Sequence, residues 1–247
     1  MKESFLATLL IIASVLSVSA AEIHFYAGAG LRQPVDQLIE DFQEKTGHRV
    51  LADYDGGGRL LARIIASGRG DLFMPGAFFY IEKLKDRGMI WSWQPVVHHT
   101  PVIAVNKSST KKVTKFEDLA KPGVRLALGD PKAMAFGRTA FKILERSGLK
   151  PRIVANVVVY GGTVKQLALY VAQGYVDASI VGRSDAFQFR DRVEMIPIPS
   201  AYFEAETVAV AVLTTALARE AATALQDFVS SPKAINVFQK FGFLPLE

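Results

Sequence analysis

The sequence predicts an α/β protein of two lobes, each a mostly parallel sheet flanked by helices, joined by two crossover strands. Three observations carry this reading. Short β-type runs alternate with helical segments from Ile23 onward. Glycine-rich turns recur where a β-type run gives way to a helix. The whole pattern then restarts after a polar, basic connection, Asn106 to Lys115. Such alternation calls for parallel strands with right-handed crossovers. In sheets of that kind ligands sit at the carboxyl ends of the strands, beside the helix N-termini.

The elements follow in order. Ile23-His24-Phe25-Tyr26 is β-type and runs into Ala27-Gly28-Ala29-Gly30. A helix starts near Pro34, a residue suited to the first helical position. Its apolar residues Val35, Leu38, Ile39 and Phe42 fall at i, i+3, i+4 and i+7, and Gly47 ends it. Val50 to Tyr54 reads as a strand, Asp55-Gly56-Gly57-Gly58 as a loop, and Leu60 to Ser67 as a helix. Leu72-Phe73-Met74 is a short buried strand, and Pro101 to Val105 is apolar and extended. After the basic connection, Val124 to Leu128 is a strand, Gly129-Asp130-Pro131 a turn, and Gly137 precedes a helix ending near Ser147-Gly148. Val157 to Tyr160 is a strand, and Thr163-Val164-Lys165-Gln166 fits a capping box that opens a helix. Ala178 to Val181 is a strand entering Gly182-Arg183-Ser184-Asp185. A β-type run from Val208 to Leu213 and helices on either side of Pro232 close the chain.

Composition narrows the chemistry. The 247 residues include 29 Lys+Arg, 24 Asp+Glu and no Cys, for a formal charge of +5. With no Cys there is no disulfide, thiolate nucleophile, Cys-ligated zinc or lipid-bearing cysteine. The pI near 9.3 suits an anionic ligand. Lys2, the apolar run Phe5 to Val15, and Val18-Ser19-Ala20-Ala21 have the layout of a secretory signal, residues 1–21, cleaved after Ala20 or Ala21. A soluble protein of the periplasm is the expected product.

Four glycine loops precede helices: Gly28/Gly30, Gly56 to Gly58, Phe136-Gly137 and Gly161-Gly162-Thr163. Helix starts carry unpaired N–H groups and the positive end of the dipole, and glycine lets a ligand approach the backbone. Together the four could surround an anion. No dinucleotide fingerprint and no P-loop Lys-Ser/Thr is present. Glu40-Asp41, Glu117-Asp118 and Asp53/Asp55 read as solvated charges or loop anchors rather than catalytic pairs. His24, His48, His98 and His99 lack metal-ligand spacing, and His98-His99 is placed in an exposed connection. Trp91-x-Trp93 is placed in a packed loop. No Gly-x-Ser-x-Gly elbow occurs, and no enzyme, cofactor or metal is expected.

Several segments carry a resemblance to a known family. They are Tyr26-Ala27-Gly28-Ala29-Gly30-Leu31, Leu61-Ala62-Arg63-Ile64-Ile65 and Gly70-Asp71-Leu72-Phe73. Gly129-Asp130-Pro131 through Gly137, Val164 through Ser184-Asp185-Ala186, and Phe241-Gly242-Phe243 continue it. In order and spacing they resemble the periplasmic molybdate-binding proteins of ABC importers, within the type II solute-binding proteins. The resemblance implies the two-lobed type II fold, an oxyanion such as molybdate or tungstate, and delivery to an ABC permease in the inner membrane. Of the family's site only backbone donors at Gly30, Gly58, Phe136 and Val164 carry over directly; with their neighbours, the candidate site is Gly30, Leu31, Arg32, Gly57, Gly58, Arg59, Ala135, Phe136, Thr163, Val164, Gly182 and Arg183.

The pocket departs from the family pattern. The family usually places Ser hydroxyls at the positions of Gly30 and Gly58, a Tyr at Gly182 and a small Ala at Phe136. Arg32, Arg59, Arg138 and Arg183 lie beside these positions instead. A lost neutral hydrogen bond costs about 1 kcal/mol, and a charge-assisted one contributes roughly 1.5–3; Arg forks suit oxyanions. One or two of these arginines could replace the missing hydroxyls; alternatively each is a solvated surface charge or pairs with a carboxylate such as Asp185. Three side chains reduced to Gly should enlarge or reshape the pocket, with Phe136 filling part of it. Phosphate, sulfate or an organic acid is therefore an alternative ligand, and a sensor or a small-molecule enzyme an alternative role. The first lobe is expected at residues 22–104 plus 206–247 and the second at 105–205. A monomer with no nucleic-acid partner is expected.

Overall fold

The computed structural model describes residues 20–132 and 134–246. Residues 1–19, which hold nearly all of the expected signal, lie outside the described residues.

The first sheet receives β1 (Glu22–Gly28), β2 (Arg49–Asp55), β3 (Leu72–Met74) and β4 (Ile90–His99), and the chain returns to it as β10 (Glu206–Leu213). Its order is β2-β1-β3-β10-β4. The second sheet holds β5 (Pro101–Asn106), β6 (Leu126–Gly129), β7 (Val157–Gly161), β8 (Ala178–Gly182) and β9 (Val193–Pro197), in the order β7-β6-β8-β5-β9. Helices α1 (Arg32–Thr46), α2 (Gly57–Ser67), α3 (Phe79–Lys85), α8 (Arg219–Val229) and α9 (Pro232–Lys240) pack on the first sheet. The second carries α4 (Ala135–Arg146), α5 (Lys150–Val154), α6 (Val164–Ala172) and α7 (Arg183–Phe187).

Strand alternation explains why each sheet is covered on both faces. In β1, Ile23, Phe25 and Ala27 join the core under α1, whose Val35, Leu38, Ile39 and Phe42 are all buried. Tyr26 points the other way, into a core shared with Leu60 and Ile64 of α2. In β6, Leu126 and Leu128 enter one core and Ala127 the other. Each fully buried Phe or Leu side chain contributes roughly 1.5–3 kcal/mol through burial, so these stripes fix the register. Gly47, at φ 71°, ends α1 by donating its N–H to the Gln43 carbonyl.

The topology brings the carboxyl edges of the two sheets together. β1 runs parallel to β2 and β3, and β6 runs parallel to β7 and β8. β4 leaves the first sheet at His99, opposite Glu206 at the start of β10. Two residues later, past Thr100, Pro101 enters the second sheet opposite Gly182, the last residue of β8. The other crossing runs from Pro197, which pairs with Val102, to Glu206. Both crossings therefore join carboxyl edge to carboxyl edge. β5, read from sequence as the end of the first lobe, is hydrogen-bonded on both sides within the second sheet.

Three details differ from the sequence expectations. Residues 90–99 form a ten-residue strand, not a packed loop followed by an exposed connection. Its inward residues Ser92 and Gln94 are polar and bond Gln226 and Asp227 of α8, while Trp91 and Trp93 face out. That reversal of the usual pattern hides the strand. His99 is accordingly half-buried rather than exposed. Finally, Gly57, Gly58 and Gly137 lie inside the first turns of α2 and α4 rather than ahead of them.

Candidate ligand cleft

Helix N-termini line the two facing edges. A short 3-10 turn, Ala29–Leu31, leads into α1, and α2, α4, α6 and α7 each follow a strand of their sheet. Gly28, Gly56, Met134 and Gly182, which precede the 3-10 turn, α2, α4 and α7, supply no side-chain cap. The first-turn amides after Gly28, Gly56 and Met134 remain available to an external acceptor, whereas in α7 the Arg183 N–H is taken by the Thr100 carbonyl at 2.9 Å. α6 differs: Gln166 N donates to Thr163 Oγ1 at 3.1 Å, and Gly162 N donates to Gln166 Oε1 at 3.0 Å. The capping box is present, with its return bond one residue earlier than the standard form.

The expected site residues divide by what holds their side chains. Gly30 is exposed, and a side chain there would begin in open space. Leu31 is buried in the first-lobe core, so only its backbone could reach the cleft. Arg32 opens α1 with its guanidinium 4.1 Å above the Tyr54 ring. Burial and the hydrogen bond to Asp36 hold the Tyr54 phenol well above its ordinary value, so it stays neutral. Gly57 and Gly58 begin α2. Arg59 is committed elsewhere: its Nε donates to Asp55 Oδ1 at 2.6 Å, and Arg63 reaches Asp53 and Asp55. The Arg59 hydrogen bond and the Gly56 amide hold Asp55 below the usual carboxylate range.

In the second lobe, Ala135 and Phe136 open α4, with the Phe136 ring half-buried against the core. Thr163 caps α6, and Val164 begins it with its side chain on the core. Gly182 is buried, and Arg183 N donates to Thr100 O at 2.9 Å. Arg138 is exposed one turn into α4. Among the described residues, Arg32, Arg138 and Arg183 make no ion pair.

The enlargement expected from glycine is seen at one position only. Of Gly30, Gly58 and Gly182, only Gly30 faces open space. A Cβ on Gly57 would lie 2.6 Å from the Tyr80 ring, and one on Gly58 3.9 Å from the Tyr80 hydroxyl. A Cβ on Gly182 would meet His99 Nε2 at 2.6 Å and Asp185 Oδ2 at 2.7 Å. His99 Nε2 and Ser184 Oγ lie 3.2 Å apart. Burial pushes His99 down to about 4 and Asp185 up to about 6. Asp185 pairs with none of the arginines; Lys165 is the cation that acts on it. Tyr80 and His99 escape a sequence reading because their elements do: α3 was not foreseen and β4 has a polar inner face. Among the described residues no His/Cys/Asp/Glu group is placed to hold a metal, and no helix is long and apolar enough to cross a membrane.

Two open sheets whose carboxyl edges meet at a double crossing, with helix N-termini along both, define a two-lobed solute-binding protein. Known proteins agree. The family model of bacterial extracellular solute-binding proteins matches residues 23–244, and the chain belongs to that family. A Haemophilus influenzae protein provisionally assigned as a binding protein is 40% identical, over 95% of each chain. A Bacillus subtilis protein provisionally assigned as the ABC transporter substrate-binding lipoprotein YvgL is 28% identical, over 88% of this chain and 84% of its own. The solved substrate-binding domain of a provisionally assigned molybdenum ABC transporter from Clostridium difficile superimposes with a TM-score of 0.83 at 21% identity. It covers 92% of this chain and 100% of that one.

Proposed function

We propose that the protein captures a small oxyanion of the molybdate or tungstate type between its lobes, outside the cytoplasm, and delivers it unchanged to an ABC permease. The lobes divide at Thr100 and within residues 198–205. The observation that carries this reading is the set of uncapped helix starts at Gly28 and Gly56 of the first lobe and Met134 of the second, at the carboxyl ends of their sheets. Each presents amide donors and a positive dipole end to the same space. An anion touching both sets binds the closed arrangement better than the open one and so favours closure. The molybdenum assignment of the Clostridium difficile domain and the family resemblance support the choice of oxyanion.

The open space at Gly30 favours a second reading, a larger or differently shaped anion such as sulfate, phosphate or an organic acid. Titration calorimetry of ligand-stripped protein separates the two. We expect one-to-one binding of an oxyanion from a panel of molybdate, tungstate, sulfate and phosphate. Binding of a sugar or a cation with no anion bound overturns the scheme.

The N-terminal packing adds a prediction about export. Ala21 N donates to His48 Nδ1 at 3.1 Å, and the Ala21 carbonyl accepts from Arg49 N at 2.8 Å. Cleavage after Ala20 keeps both bonds, whereas cleavage after Ala21 removes them. Intact mass of the exported protein is expected to place Ala21 first; a chain starting at Glu22 would contradict this.

A further inference from the structure

We propose that Tyr80 is a ligand-binding residue, its phenol supplying from α3 the hydroxyl that the family places at Gly58 on α2. The assignment rests on the oxyanion reading of the cleft. Two glycines at the start of α2 leave its first turn bare, and the Tyr80 ring fills the space beside it. Ring atoms stand 2.6 Å from where a Gly57 Cβ would be, so any side chain at Gly57 and Tyr80 exclude one another. At Gly58 the relation is different. The Tyr80 hydroxyl is 3.9 Å, and its nearest ring carbon 3.8 Å, from an ideal Cβ. A serine side chain there would fit in ordinary contact and would carry its Oγ into the neighbourhood of the phenol.

The ring is held in place from behind. Tyr80 packs on the core formed by Leu60, Ile64, Ile81 and Leu84, and meets the Phe79 ring edge-on at 5.4 Å. Its polar end is free: among the described residues the Tyr80 hydroxyl makes no hydrogen bond. By contrast, the nearby Tyr54 hydroxyl is already committed to Asp36. A fixed ring with an uncommitted donor beside uncapped amides is arranged for an acceptor from outside, and a rigid donor loses little entropy on binding.

The test uses molybdate and sulfate as probes on the purified mature protein. Tyr80→Phe removes the hydroxyl but keeps the ring against Gly57, so the fold is preserved. It is expected to weaken binding of the better probe about five- to twenty-fold, the range of one lost hydrogen bond. Adding Gly58→Ser to Tyr80→Phe is expected to recover most of that loss, because the new hydroxyl enters the same space. If Tyr80→Phe binds within two-fold of wild type, or if Gly58→Ser recovers nothing, the assignment is overturned while the cleft reading stands. If wild type binds no oxyanion, both are overturned.

Discussion

Gly137→Ala is expected to lower stability by about 3 kcal/mol and to weaken oxyanion binding at least ten-fold. Helix propensity alone argues the other way, since Ala is favoured over Gly by roughly 1 kcal/mol inside a helix. Sterics decide. A Cβ at Gly137 would lie 2.6 Å from the Asp130 carbonyl oxygen, 2.7 Å from its carbon and 2.8 Å from the Gly129 carbonyl carbon. All three are backbone atoms at the end of β6, so no side chain can turn aside. Gly129 makes the reciprocal approach, its own would-be Cβ 2.9 Å from Gly137 Cα. The N-terminus of α4 must therefore withdraw from the sheet. Overpacking of this kind typically costs 1–3 kcal/mol and sometimes more. On the proposed function the withdrawal also displaces the α4 amides offered to the oxyanion, which is why affinity is expected to fall with stability. Gly162→Ala is the control: its nearest neighbour would be Gln166 Oε1 at 3.9 Å, and a change within about 0.5 kcal/mol is expected. Urea midpoints and calorimetry on both variants check the pair. Equal midpoints for Gly137→Ala and wild type would contradict the argument.

The same residues show what a linear sequence conveys and what it hides. The stripe Val35, Leu38, Ile39, Phe42 and the Thr163–Gln166 box depend on neighbours within about two helical turns, and both were legible. The commitment of Arg59 to Asp55 was legible in principle, because an Asp four residues before an Arg at a helix start is a standard pair. The strand at 90–99 was hidden because its inner face depends on Gln226 and Asp227, more than 130 residues away. The filling of the Gly58 and Gly182 positions was hidden for the same reason. A glycine reports a missing side chain, but not whether Tyr80 or His99 has moved into the gap.

Asp185→Asn is expected to stabilise the protein at pH 7.5 by on the order of 2 kcal/mol and to leave it nearly unchanged at pH 4. Burial raises Asp185 from its ordinary value near 3.8 to about 6. The folded state therefore holds a proton that the unfolded state has released, and stability from this group is lost as pH rises from about 4 through 6. His99, beside the same glycine, acts with the opposite sign. Burial lowers it from 6.5 to about 4, so its contribution is complete above 6.5 and is lost as pH falls toward 4. The two shifts are similar in size and oppose one another over one window. Wild type hides both; the Asn variant removes the first and leaves stability rising with pH from 4 to 6.5. Lys165 on α6 partly offsets the Asp185 shift, and Ser184, through its contact with His99 Nε2, keeps the ring in place in either variant. Sulfate, a dianion across this range, extends the test to binding. On the proposed function Asp185, beside Gly182, borders the anion's site, where a carboxylate opposes it, so the Asn variant is expected to bind sulfate several-fold more tightly at pH 7.5 and equally at pH 4.5. Parallel stability curves for the two proteins between pH 4 and 7.5 would show that Asp185 ionises as freely in the folded chain as in the unfolded one.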